Sequence, residues 1–355
     1  MITRRAVVWT GSWATAITFA HFALNLGGVQ LIAARAQGGR EKRAPKYRLG
    51  YLPVTCHLTC PVTDYINRQL NGEGLFEPIR FGGWPELKEA FLAGYTQATF
   101  ILAPMAIALR EQGIAAKIVY LGHRDGTAMM VHKESPIRRI EDLIGKKVAV
   151  PNRFSNQRLL LYKALRERGL EVAGLTIIEM PPPDMPAALY ARAVDAITSG
   201  EPFMGQTELD GYGRILYLTK DVWPNFISCV LAVHERMINE HRDDVQSLVD
   251  GIAQSGLWLE QGMNHRMQAS QFVSKHYYNQ HPRLLAHVLS KPPDRVKYTN
   301  LTPLRKEFEE IESLGIEAGI LKGSAHFDDY VDASFAREPD SGDPRLRAYS
   351  WEAAL

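Results

Sequence analysis

Short strand-type runs alternate with helical patterns of about ten residues, and the alternation occurs twice along the chain. This constrains the fold more than any other feature. The first series begins with "KYRLGYL", followed by "PVTDYINRQLN". There Pro61 suits a first helical turn, and Val62, Tyr65, Ile66 and Leu70 share one face. It continues through "EPIRF", "PELKEAFLAG", "QATFILA", "MAIALREQG", "AKIVYLG" and "TAMMVHK". After "SPIRRIEDLIG" a second series starts with "KKVAVP", then "SNQRLLLYKALRERG", "TIIEM", "DMPAALYARA", "VDAIT" and "RILYLT". The apolar run "ISCVLAVH" leads into a long helical pattern with Val245, Leu248, Val249, Ile252 and Leu259 at helical spacing. The remainder to about residue 335 reads mostly helical, and residues 336–355 read as a loose tail. Two such series predict two α/β units, each a mostly parallel sheet flanked by helices.

The first 36 residues stand apart. Arg4 and Arg5 precede a weakly apolar stretch, and residues 34–36 read "ARA". This predicts an export signal, and the paired arginines resemble the twin-arginine type. His21, Asn25 and Gln30 interrupt its apolar middle, which disfavours a membrane-spanning helix. Residues 1–36 hold three of the 41 basic residues and none of the 39 acidic ones, so the rest is nearly neutral. No polybasic run marks a nucleic-acid partner. The expected location is extracytoplasmic, where disulfides are permitted.

Ligands of open α/β sheets sit outside the carboxyl ends of the strands. That rule selects the loops 55–60, 82–84, 122–126, 151–155, 181–184 and 199–202. Within or beside them lie the candidate ligand-binding residues Cys56, His57, Trp84, Asp125, Gly126, Ser155, Asn156, Gln157 and Glu201. Ser155, Asn156 and Gln157 lie where a strand hands over to a helix, a position suited to an anion or to capping. Glu201 precedes a short helix, where a carboxylate accepts hydrogen bonds or binds a cation. Asp125 and Gly126 are site candidates or simply a turn.

The "TCHLTC" stretch holds two of the three cysteines. Three readings stay open for it. One is a Cys56–Cys60 disulfide. Another is a soft-metal site of Cys56, His57 and Cys60, with Glu201 or Cys229 as a fourth ligand. The third is separately packed side chains. Cys229 alone reads as a buried small hydrophobe. No G-x-S-x-G, no phosphate-binding G-x-x-x-x-G-K-[ST] and no G-x-G-x-x-G opening a helix occurs, so the chain reads as a binder and not an enzyme.

The stretches "GGWPELKEAFLAG", "IRRIEDLIGKKVAVP" and "MPPPDMPAALYARAVDAITSGEPF", in this order, resemble the periplasmic substrate-binding proteins of ABC importers. The group is that of nitrate, sulfonate and taurine, with the nitrate- and bicarbonate-binding proteins nearest. The resemblance spans residues 46–335 and implies a two-lobed type II binding-protein fold. Lobe 1 would comprise residues 45–130 plus 235–335, and lobe 2 residues 131–234. Residues 127–133 and 227–234 would be the two crossover segments. It further implies a monomer that closes on a small molecule and delivers it to a permease in the cytoplasmic membrane, with no cofactor beyond a metal ion. In that family a Trp at the position of Trp84 faces the ligand. The nitrate and bicarbonate members carry a charged residue before the second crossover. Here "DVWPNFISC" places Trp223, Pro224, Asn225 and Phe226 there, which argues for a bulkier or less charged solute. Two other readings are kept. One is a metal-dependent enzyme resembling thiamin-pyrimidine synthase. The other is a metal-binding or ligand-sensing periplasmic protein.

Overall fold

The computed structural model describes residues 47–337. The export signal and nearly all of the tail read from the sequence lie outside the described residues. From Arg48 the chain builds three strands, each followed by a helix: β1 (Arg48–Tyr51), α1 (Thr59–Asn71), β2 (Glu77–Arg80), α2 (Trp84–Leu92), β3 (Ala98–Ile101) and α3 (Ala103–Glu111). β2 and β3 flank β1, both parallel to it. This brings the carboxyl ends of all three strands, and the helix starts that follow them, to one edge.

β4 (Ala116–Asp125) runs to Asp125, and β5 (Thr127–His132) starts two residues later in another sheet. That second sheet has the order β7-β6-β8-β5-β9, with β6 (Lys147–Val150), β7 (Thr176–Glu179), β8 (Ala196–Gly200) and β9 (Gly213–Leu218). Its helices are α4 (Asn156–Arg166), α5 (Met185–Tyr190) and α6 (Phe203–Leu209). Residues 219–226 lead back to β10 (Ile227–His234) in the first sheet, whose order is β11-β4-β10-β3-β1-β2 with β11 at Val296–Lys297. The segments 127–133 and 227–234 do not themselves cross between the sheets. Each holds a full strand inside one sheet, and the passages lie at Asp125–Thr127 and at 219–226.

Both strands that begin a new sheet after a passage run against their neighbours. β10 is antiparallel to β3 and β4, and β5 is antiparallel to β8 and β9. The sheets are therefore mixed, parallel only through β2-β1-β3 and β7-β6-β8. β10 is buried on both faces for all but its last residue, which explains an apolar run without alternation.

After β10 the chain stays with the first sheet through α7 (Arg242–Glu260), α8 (Met263–Val273), α9 (Pro282–Ser290) and α10 (Arg305–Glu317). α7 buries Val245, Leu248, Val249, Ile252 and Leu259, the face its spacing predicts. Two late helices also touch the second sheet's helices. α6 meets α9 closely enough that a β-carbon on Gly205 would lie 2.3 Å from a Val288 methyl. α4 and α10 are linked by Lys163 and Glu310 at 3.0 Å. Among the described residues no helix is long and apolar enough to cross a membrane.

Candidate functional site

The turn after β1 is a short helical turn, Thr55–His57, fully buried. It approaches β4 where that strand has Gly122; a β-carbon there would lie 2.4 Å from the Cys56 carbonyl oxygen. The Leu52 amide donates to His57 Nδ1 at 2.7 Å. Because Nδ1 accepts, the neutral ring carries its hydrogen on Nε2. The ring stacks on Phe100 at 5.1 Å and meets Trp84 edge-on at 5.5 Å. Trp84 opens α2, and its Nε1–H is buried with no partner among the described residues.

The facing groups come from the second sheet. Ser155 caps α4, its hydroxyl oxygen accepting from the Arg158 amide at 3.3 Å. Asn156 donates through Nδ2 to the Ile227 carbonyl, and Gln157 through Nε2 to Thr127 Oγ1 at 3.2 Å. Each amide nitrogen thus fastens one of the two passages between the sheets. Among the described residues, the amide oxygens Asn156 Oδ1 and Gln157 Oε1 are left buried without a partner, as are Thr59 Oγ1 and Thr198 Oγ1. With the Trp84 indole, these atoms sit at strand carboxyl ends or the helix starts after them, drawn from both sheets. A buried polar atom costs about 1–3 kcal/mol while unsatisfied, so each of these atoms has hydrogen-bonding capacity to spare.

A cavity of about 250 Å³ opens between α2 and α3 on one side and residues 152–154 on the other. Pro85, Met105 and Leu109 face Asn152, Arg153 and Phe154 across it.

Asp125 and Gly126 form the first passage. Both have left-handed backbones, φ 61° and 64°, and a β-carbon on Gly126 would lie 2.5 Å from the His123 ring. The Asp125 amide donates to Phe226 O at 2.8 Å and the Gly126 amide to Arg295 O at 2.7 Å. The Asp125 carboxylate faces Lys297 Nζ at 3.1 Å; burial pushes its pKa up and Lys297 opposes this. The pair shapes the passage between the sheets.

The Glu201 carboxylate is already engaged on both oxygens. Its Oε1 accepts from Arg295 Nε at 2.8 Å and its Oε2 from the Gly205 amide at 2.8 Å. The side chains of Glu201 and Arg295 are fully buried, and burial holds the Glu201 carboxyl above its ordinary range against the pull of Arg295. What Glu201 offers the turn after β1 is its backbone: the Thr55 amide donates to its carbonyl at 2.7 Å. Arg295, which also binds Glu208 at 2.8 Å, lies in a loop that carries no sequence signal of this role.

The cysteines are paired differently from the sequence expectation. All three are free and buried, so the Cys56–Cys60 disulfide is absent. Cys56 Sγ lies 2.8 Å from Cys229 Sγ on β10. Cys60 sits in the first turn of α1, on its buried face, where burial and Asp64 push its thiol up. The helical path from residue 56 to residue 60 turns the two side chains to different neighbours. The metal-competent group is accordingly Cys56, His57 and Cys229, with ligand atoms within 4.8 Å of one another. For a metal, His57 would have to release the Leu52 amide, either to bind through Nδ1 or to move its hydrogen there and bind through Nε2. Burial resists ionisation of Cys56, yet the Cys229 thiol, His57 and His123 together hold it well below the ordinary thiol range. Burial lowers His123 to about 4.

A family model described as "NMT1-like family" matches residues 40–274. The taurine-binding periplasmic protein of Escherichia coli (strain K12) is 27% identical over 172 residues, 46% of this chain and 52% of that protein. The chain spans about half the length, or less, of the curated relatives it matches. Among solved structures, the ligand-binding component of an ABC-type import system from Staphylococcus aureus, with zinc bound, superposes with a TM-score of 0.73. It is 25% identical, over 82% of this chain and 99% of that one. The periplasmic nitrate-binding protein NrtA from Synechocystis PCC 6803 also reaches 0.73, at 16% identity, over 82% and 88%. The fold carries enzymes too: desulfurization enzyme DSZB superposes with a TM-score of 0.57 at 16% identity, over 81% and 96%.

Proposed function

Because the chain belongs to the NMT1-like family, we propose that it is an exported solute-binding protein that captures a small molecule between two lobes and presents it to an ABC-type permease. The bounds read from the sequence, 45–130 plus 235–335 for lobe 1 and 131–234 for lobe 2, move with the sheets: lobe 1 takes residues 47–125 plus 227–335 and lobe 2 residues 127–218. The passages at Asp125–Thr127 and 219–226 act as the hinge. The protein works as a monomer outside the cytoplasmic membrane after twin-arginine export.

One observation carries this reading: Trp84 Nε1, Asn156 Oδ1, Gln157 Oε1 and Thr198 Oγ1, from elements of both sheets, are buried near strand carboxyl ends or at the helix starts after them, with no hydrogen-bond partner among the described residues. Three of the buried charges are paired, Glu201 with Arg295, Asp125 with Lys297 and Arg124 with Glu307. The solute is therefore held by hydrogen bonds to neutral groups, with Trp84, Asn156 and Gln157 as its main contacts and His57 beside them. A second reading, metal binding at Cys56, His57 and Cys229, rests on the proximity of their donor atoms.

Thermal unfolding against nitrate, bicarbonate, taurine, alkanesulfonates, urea, small amides and pyrimidines, each with and without zinc or copper, tests both readings. A solute at 100 times its Kd stabilises by about 2.7 kcal/mol. The proposal expects one neutral polar solute to raise Tm without metal. A rise with metal alone, lost in His57→Ala, would replace it by the second reading.

A further inference from the structure

Cys56 and Cys229 come from distant parts of the chain, 173 residues apart, and their sulfurs are 2.8 Å from each other. Both side chains are almost fully buried, at 2% and 1% exposure. The fold brings them together through Gly122, whose missing side chain admits the Cys56 carbonyl at one side and the Cys229 carbonyl at the other. The register of β10 against β4 shifts on both sides of Cys229, so the strand is irregular at this point. A metal held by both thiolates would need the sulfurs farther apart, since Zn–S bonds of about 2.3 Å set tetrahedral sulfurs well beyond 3 Å from one another. A disulfide needs them to close by less than about 1 Å.

We infer that Cys56 and Cys229 form a disulfide under oxidising conditions, tying the turn that carries His57 to the strand that follows the second passage. The oxidant is a small-molecule disulfide or a thiol-disulfide oxidoreductase. The Cys56 thiolate attacks one oxidant sulfur and releases one thiolate. The Cys229 thiolate then attacks the Cys56 sulfur of the mixed disulfide and releases the second. The two protons lost by the cysteines end on the two released thiols, and the oxidant takes up both electrons. Cys60 takes no part. The bond closes a loop of about 170 residues, for which chain-entropy arguments predict a rise in Tm on the order of 10 °C. This inference does not depend on the identity of the solute.

The test uses the full chain, purified reduced and then incubated with oxidised glutathione while unfolded and refolding. Free thiols are alkylated in denaturant, and unreduced peptides are mapped by mass. The expected result is alkylation at Cys60 alone, a cross-linked peptide pair joining residues 56 and 229, and the higher Tm. Cys60→Ser should keep the bond and the rise; Cys229→Ala should lose both. Three alkylated cysteines, or a Cys56–Cys60 bond, would overturn the inference. So would a tightly held metal that masks Cys56 and Cys229 until it is chelated. Mapping the unsubstituted protein decides the matter even if Cys229→Ala fails to fold.

Discussion

Replacing Arg295 by leucine should destabilise the protein strongly at neutral pH and less at mildly acidic pH. The guanidinium is fully buried, bonding Glu201 and Glu208 and donating to the Lys291 carbonyl at 2.9 Å. Without it, the buried Glu201 carboxylate keeps only the Gly205 amide as a hydrogen-bond donor. Breaking a buried pair from one side costs about 3–5 kcal/mol, mostly the penalty of the charge left behind. For a chain of this size that lowers Tm on the order of 10 °C. Burial already holds the Glu201 carboxyl above 4.5 with Arg295 in place, and losing Arg295 raises it further. The folded state then binds the proton more tightly than the unfolded state. Stability falls as pH rises from the unfolded pKa through the folded one, and the penalty is relieved as pH falls. Urea unfolding at pH 5 and pH 7.5 measures this. Arg295→Leu should lose about 3–5 kcal/mol at pH 7.5 and clearly less at pH 5. Arg295→Leu with Glu201→Gln should recover part of the loss by removing the stranded charge. A loss under about 1 kcal/mol at pH 7.5, or an equal loss at both pH values, would refute the reasoning.

Gly122→Ala places a β-carbon against the Cys56 carbonyl, a backbone atom that cannot rotate away. Urea unfolding should register a loss of about 1–3 kcal/mol. Trp84→Phe keeps most of the packing but removes the Nε1–H donor. Calorimetric titration should show solute affinity down about tenfold, with Tm of the unliganded protein little changed. Ser155→Ala removes the α4 cap and should lower stability by about 1 kcal/mol, read as a shift in urea midpoint at constant slope. If the solute is held by the neutral atoms of Trp84, Asn156 and Gln157, its affinity between 50 and 500 mM salt should change by less than about twofold; a steep salt dependence would indicate an ionic contact, with Arg153 at the cavity wall as a candidate.

The alternation of strands and helices was legible because each element buries its own periodic face, as α7 does with Val245, Leu248 and Ile252. The strand ends were legible for the same reason, and the turns and helix starts after them carry His57, Trp84, Asn156 and Gln157. What the residues could not announce were partnerships made across long stretches of chain. Cys56 has a plausible local partner in Cys60, yet the contact is with Cys229, on a strand that reaches it only after a second sheet has been built. Glu201 sits where a ligand carboxylate is expected, but Arg295 claims it from a loop 94 residues away. The crossing points lie beside β5 and β10 and not within them, because each of these apolar runs forms a full buried strand of one sheet. The actual passages depend on left-handed backbones at Asp125 and Gly126 and on an irregular return at 219–226, where composition says little.

The central claim is that a small solute is held, unchanged, between the two sheets. Its most direct test is calorimetric titration of the solute selected by thermal unfolding, using the unsubstituted protein and Asn156→Ala, with the solute recovered and identified afterwards. One solute bound per chain, affinity reduced at least about tenfold in Asn156→Ala and chemically intact solute are the predicted results. Unchanged affinity in Asn156→Ala would contradict the account by placing the solute elsewhere, and a solute recovered as a different compound would make the protein an enzyme.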